Sequence, residues 1–145
     1  MITFEIPGTP YAKKRHRSTR QGRTYNPADN VSFERTVAQI ALQHFPEPLE
    51  GPVRLTFTAI FAPAQSWSKK KTAAHLHRPH TQKPDLDNIE KALKDGLNRV
   101  AFVDDAQVAE VHKKKMWGPR PRTIVMIEPL SVSLVSMRSR GWRRE

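Results

Sequence analysis

Four stretches of the chain alternate apolar and polar residues, and two others repeat apolar residues at helical spacing. Ile2, Phe4 and Ile6 alternate with Thr3 and Glu5 until Pro7-Gly8 and Pro10 break the pattern, which predicts a half-buried strand. Val53, Leu55, Phe57 and Ala59 alternate with Arg54, Thr56 and Thr58, predicting a second strand that runs to about Phe61. Val108 to Lys115 and Thr123 to Glu128 predict two more, split by a Gly-Pro-Arg-Pro turn. Val31, Val37, Ala38, Ala41, Leu42 and Phe45, with Phe33 and Ile40, supply an apolar face for a helix from about Ala28 to His44. Asn26 would be its cap, Pro27 would sit in its first turn, and Pro46 and Pro48 stop it. Ile89, Leu93 and Leu97 form a stripe on a second helix, from about Asp87 to Asn98. Residues 8–26 and 63–84 show neither period and read as irregular. The element order is β-α-β-α-β-β, an α+β fold with a small mixed or antiparallel sheet and two main helices.

Length and composition narrow the function. A chain of 145 residues suits one domain, taken here as residues 1–129, with a basic tail over 130–145. A hydrophobic fraction of 37% leaves a thin core, and dimerisation would bury more. The absence of cysteine excludes disulfides and thiolate metal sites and fits a cytoplasmic setting. No apolar run is long enough to cross a bilayer, and the opening segment is too short and polar for a leader. Lys and Arg outnumber Asp and Glu by 25 to 14, a formal net charge of +11, so the expected partner is a polyanion, and nucleic acid suits it better than a membrane. Lys13, Lys14, Arg15, Arg17, Arg20 and Arg23 near the N-terminus, with Lys69 and Lys70 further on, are the candidate DNA contacts. A solvated basic loop is the plain alternative.

Against this background three aspartates stand out. Asp85 and Asp87 lie in K-P-D-L-D-N, and Asp105, preceded by Asp104, lies in V-D-D-A-Q-V. Carboxylates gathered in a basic protein would repel a polyanion unless a divalent cation came between them. Two or three suffice for Mg2+, which keeps several waters. In an extended segment, residues i and i+2 face the same side, so Asp85 and Asp87 could share an ion. The same letters also read as a capping box, with Asp87 as N-cap and Glu90 at the third position, and spacing alone does not choose. Lys91, four residues from both Asp87 and Asp95, reads as an ordinary ion-pair partner or as a cation for a scissile phosphate. The seven residues from Asn98 to Asp105 span about 23 Å fully extended. Asp105 therefore joins the pair within one subunit only if residues 99–104 run back along the helix. Otherwise the site forms across a dimer, or Asp104-Asp105 is a turn.

His75, His77 and His80 suggest zinc only weakly, because a fourth ligand is missing. Trp67 and Trp117 could stack on an unpaired base, although packing suits them better. Arg138, Arg140, Trp142, Arg143 and Arg144 make the tail basic, and Trp142 could anchor it on a partner.

The run K-P-D-L-D-N-I-E-K-A-L-K-D-G-L-N at 83–98, followed by F-V-D-D-A-Q-V at 102–108, resembles the RusA family of Holliday junction resolvases. G-x-P-x-x-K-x-R at 8–15 and G-R-T-Y at 22–25 resemble it more weakly, and similarity extends over about residues 2–128. The resemblance implies a homodimeric, Mg2+-dependent endonuclease that makes paired nicks in four-way DNA junctions during recombination and repair, from a bacterial or prophage source. It implies no small-molecule cofactor and no membrane. By motif position Asp85, Asp87 and Asp105 match the metal-binding acids, Lys91 matches the catalytic lysine, and Asn88 would orient an acid or a water. The competing readings are a non-catalytic basic DNA-binding protein and a nuclease acting on forks, flaps or duplex.

Overall fold

The computed structural model describes residues 1–130. The basic tail therefore lies, beyond Leu130, outside the described residues. The elements are β1 (Ile2–Pro7), β2 (Arg17–Ser18), β3 (Thr24–Tyr25), α1 (Ala28–Leu42), β4 (Val53–Phe61), α2 (Lys69–His75), α3 (Leu86–Leu97), a single 3-10 turn (Asp105–Gln107), β5 (Val108–Trp117) and β6 (Arg122–Pro129). The fold is α+β with a mixed sheet ordered β1-β6-β4-β5, in which β4 pairs parallel to β5 and antiparallel to β6.

The alternating residues do what their pattern requires. Phe4 and Ile6 of β1, Val53, Leu55, Phe57 and Ala59 of β4, and Val125 and Ile127 of β6 turn to one face and are buried there against α1 and α3. Each large side chain removed from water contributes about 1.5–3 kcal/mol. Ile89, Leu93 and Leu97 form the buried stripe of α3 as their spacing predicts. The helices cross closely at Gly96, where an added Cβ would lie 2.6 Å from Val37 Cβ. A side chain there would push α3 away from α1.

Several expectations need correction. A third helix, α2, and the β2–β3 hairpin occupy stretches that read as irregular. The helix is capped by Ser68, whose Oγ accepts from Lys71 N at 3.1 Å. On α1, Val31 and Leu42 are exposed, and the buried positions are Asn30, Val37 and Ala41. Asn26 does not cap this helix. Pro27 stands at the N-cap, and Asn26 Oδ1 instead accepts from Asn30 Nδ2 at 2.8 Å. The Gly-Pro-Arg-Pro segment does not join neighbouring strands, since β5 and β6 lie on either side of β4. The link steps over the end of β4, with Gly118 N donating to Phe61 O at 2.9 Å and an added Cβ only 2.5 Å from Ile60 Cγ2. A side chain at Gly118 would have to displace Ile60.

Residues 77–80 then run along the outer border of β5. His77 N donates to Trp117 O, Trp117 N to Arg78 O and His80 N to Lys115 O, at 2.9, 3.0 and 3.2 Å. No helix among the described residues is long and apolar enough to cross a membrane.

Candidate active site

Helix α3 carries the acidic motif. Asp85 is its N-cap in extended conformation, and Asp87 lies in its first turn. The capping-box reading fails on both counts, because the helix starts two residues earlier than that reading needs and no side chain caps it. Glu90 reaches Lys113 and Lys94 instead, at 2.7 and 2.8 Å. The extended-strand argument for a shared face fails as well, since Leu86 already belongs to the helix. Asp85 and Asp87 are both exposed and are held by different cations: Lys83 lies 3.4 Å from Asp85, and Lys113 lies 2.7 Å from Asp87. The hydrogen bond from Lys113 holds the Asp87 carboxyl below its ordinary pKa, helped by the charges of Lys113 and Lys91. Lys115 steadies the approach to the motif, with Nζ donating to Gln82 O and Pro84 O at 2.6 and 2.9 Å.

Lys91 makes no ion pair with either neighbour on its face. Asp87 is taken by Lys113 and Asp95 by Lys13. The Lys91 side chain instead lines an open cleft of about 160 Å³ with Asn88, Lys13, Lys14, Arg15 and His16. Lys13 N donates to Asn88 O at 2.9 Å, which docks the N-terminal basic loop on α3. The cleft gathers cations beside the acidic turn, a geometry suited to a phosphate.

Asn30, which periodicity misses because a polar residue interrupts the apolar stripe, fixes the other side of this loop. Only 1% exposed, its Oδ1 accepts from Tyr11 Oη and Lys14 N at 2.6 and 2.9 Å. Its Nδ2 donates to Lys14 O and to Asn26 Oδ1, both at 2.8 Å. A buried amide with every valence used is a rigid anchor.

Of the DNA candidates, Lys13 pairs with Asp95 and Lys14 with Asp29. Arg15, Arg17, Arg20, Arg23, Lys69 and Lys70 are exposed and form no ion pair among the described residues, although the charge of Arg17 is felt at Asp29. Arg17 stands on the β2–β3 hairpin and Arg20 and Arg23 on its turn, where Thr19 N donates to Arg23 O at 2.7 Å.

Asp105 is exposed and lies at the other end of α3. Val100 N and Ala101 N fold back onto Leu97 O, so residues 99–104 do not return along the helix. The 3-10 turn is pinned by Gln107, whose Oε1 accepts from Asp104 N at 2.9 Å and whose Nε2 donates to Leu49 O and Gly51 O at 2.9 and 2.8 Å. This residue is a positioning group that the D-D-x-Q pattern contained without revealing its partners. From Asp87 to Leu97 the helix α3 carries the chain about 15 Å, before the residues that lead to Asp105. Among the described residues, no three His, Asp or Glu side chains converge to hold a metal. Asp85 and Asp87 still suit a hard cation chemically. They are oxygen donors, free of capping duty, and Mg2+ usually takes one or two carboxylates and completes its shell with waters and phosphate.

The histidines do not gather. His80 is buried, stacked on Phe61 at 4.0 Å and tilted against Trp117 at 4.4 Å by ring centroids. Burial, and then the charge of Lys115, push its pKa down. His75 packs on Trp67, and its Nδ1 meets Lys71 O at 2.7 Å, whereas His77 lines a groove on the other face of the sheet with Lys114 and Arg122. Trp67 and Trp117 pack together at 5.1 Å, with Lys71 Nζ 4.2 Å over Trp67. Packing, not base stacking, is the role this geometry gives them.

The family described as Endodeoxyribonuclease RusA matches residues 7–128. The uncharacterized protein YqaN of Bacillus subtilis (strain 168) is 37% identical over 139 residues, spanning 90% of this chain and 97% of that protein.

Proposed function

The chain belongs to the RusA endodeoxyribonuclease family, and from that premise we propose that it is a homodimeric, Mg2+-dependent nuclease that resolves four-way DNA junctions by paired nicks. The observation that carries this reading is the pairing of two exposed, uncapped carboxylates, Asp85 and Asp87, with a cationic cleft built around Lys91.

Asp85 and Asp87 would hold the metal, which supplies an activated water and neutralises phosphate oxygens. Lys91, with Arg15 beside it, binds the scissile phosphate and stabilises the charge that builds as the bond breaks. The hairpin arginines and Lys69 and Lys70 hold flanking phosphates. These contacts select charge and shape more than sequence. Asp105 completes the acidic set from the second subunit, because one helix length separates it from Asp85 and Asp87 within a chain. Two such composite sites about a two-fold axis match the symmetry of a four-way junction.

Complementation between inactive variants tests this arrangement. Asp87→Asn and Asp105→Asn proteins are each expected to be inactive on a synthetic junction with Mg2+. Mixed and allowed to exchange subunits, they should recover about a quarter of the wild-type sites, because half of a two-fold symmetric population is heterodimeric and each heterodimer regains one intact site. No recovery in a verified heterodimer rejects the shared site. Junction binding without Mg2+-dependent nicking by the wild type makes the chain a non-catalytic DNA-binding protein. Faster cleavage of forks or flaps than of junctions reassigns the substrate.

A further inference from the structure

Lys113 projects from β5 into the acidic turn, where it does more than a surface lysine does. Its Nζ lies 2.7 Å from Asp87 Oδ1 and 2.7 Å from Glu90 Oε1, so one ammonium bridges two carboxylates of the first helical turns. The two partners differ in setting. The Asp87 side chain is 80% exposed and faces solvent, while that of Glu90 is 17% exposed and is also bound by Lys94. Lys113 itself is half-buried, with a short path between the two. An ammonium in this position can give up Asp87 without losing its counter-ion, since Glu90 retains it. The ammonium also has the charge sign of a divalent cation and the same oxygen ligand.

We infer that Lys113 is the resident counter-cation of the acidic turn: it orients Asp87 when no metal is bound, competes with the divalent metal for that carboxylate, and withdraws onto Glu90 when metal and phosphate arrive. The inference rests on the metal reading of Asp85 and Asp87 proposed above. Lys113 acts through Asp87 and is therefore a positioning residue. It sets a threshold for metal loading, so that the site fills more readily once a DNA phosphate adds ligands and negative charge.

The test is Mn2+ binding to the full chain without DNA, measured by calorimetric titration. Compared with the wild type, Lys113→Met, which keeps the stem and removes the charge, is expected to bind Mn2+ about tenfold tighter, the scale of losing a nearby like charge at a partly exposed site. Lys113→Arg, which keeps the charge, should remain near the wild type. Adding Asp87→Asn to Lys113→Met should abolish the gain. Thermal unfolding identifies a variant that does not fold, and Lys113→Gln then replaces Lys113→Met with the same expectation. Equal or weaker binding by the neutral variants overturns the inference while leaving the metal site standing, as does an equal gain by the arginine variant. If neither the wild type nor any variant binds Mn2+, the metal site falls and the inference falls with it.

Discussion

The two ends of helix α3 carry the two halves of one sequence signature, and they are built differently. At the N-terminal end Asp85 and Asp87 stand exposed, cap nothing and are met by single lysine contacts. At the C-terminal end Asp105 rides on a turn that Gln107 ties to Leu49 and Gly51 by three hydrogen bonds, counting the one from Asp104 N. The first end leaves both carboxylates open to solvent. The second is a fixed platform that presents its carboxylate outward. A signature written in two nearby runs of the sequence is therefore set at the two ends of a helix of 12 residues, about 18 Å long.

The contrast can be broken most directly with Asp87→Asn. Junction nicking should fall by about a hundredfold or more, with the unfolding midpoint within a degree or two of wild type, because an exposed side chain without a capping bond is removed. A large loss of stability would show that this end is structural after all. Gln107→Ala should do the reverse in kind, costing about 0.5–1.5 kcal/mol of stability through the lost hydrogen bonds. Nicking should fall about tenfold through misplacement of Asp105.

Charge on the basic hairpin extends the contrast. Replacing Arg17, Arg20 and Arg23 by alanine should flatten the slope of log binding constant against log salt by about 0.9 for each phosphate no longer neutralised. Lys13→Ala should change it less, since Asp95 already neutralises Lys13. An unchanged slope in the triple variant removes the hairpin from the interface. The smallest effect concerns His80, whose pKa lies below its ordinary value of 6.5 because burial disfavours the charged ring. The unfolded chain takes up that proton first, so stability should be full above about pH 6.5 and decline as pH falls below it, levelling off under the folded pKa. In His80→Phe this decline should shrink just below pH 6.5.

Much of the fold was legible because burial here follows period. Phe57 and Leu55 on β4, and Ile89, Leu93 and Leu97 on α3, obey it and are buried as the pattern requires. Elements that bury nothing left no such trace. Helix α2 has no buried residue and rests on the Ser68 cap and the Trp67–His75–Trp117 cluster, while the β2–β3 hairpin is exposed throughout. Asn30 was invisible for the opposite reason, as a buried residue of polar type. At the candidate site, the letters of the motif suggested a chemistry but not a geometry. Spacing could not tell that Asp85 rather than Asp87 begins the helix, or that Lys113, 26 residues further on, would reach Asp87.

The segment 77–80 that lies along β5 has a consequence beyond the site. A border strand with open amide and carbonyl groups invites pairing with stray chains and can seed aggregates. By hydrogen bonding to Lys115 and Trp117, this segment closes the far half of that border. The near half carries Glu110, His112 and Lys114 on the exposed side, and a charged fringe of this kind discourages intruding strands. The stretch that first read as irregular thus also serves as a seam that helps keep the sheet from sticking to its neighbours.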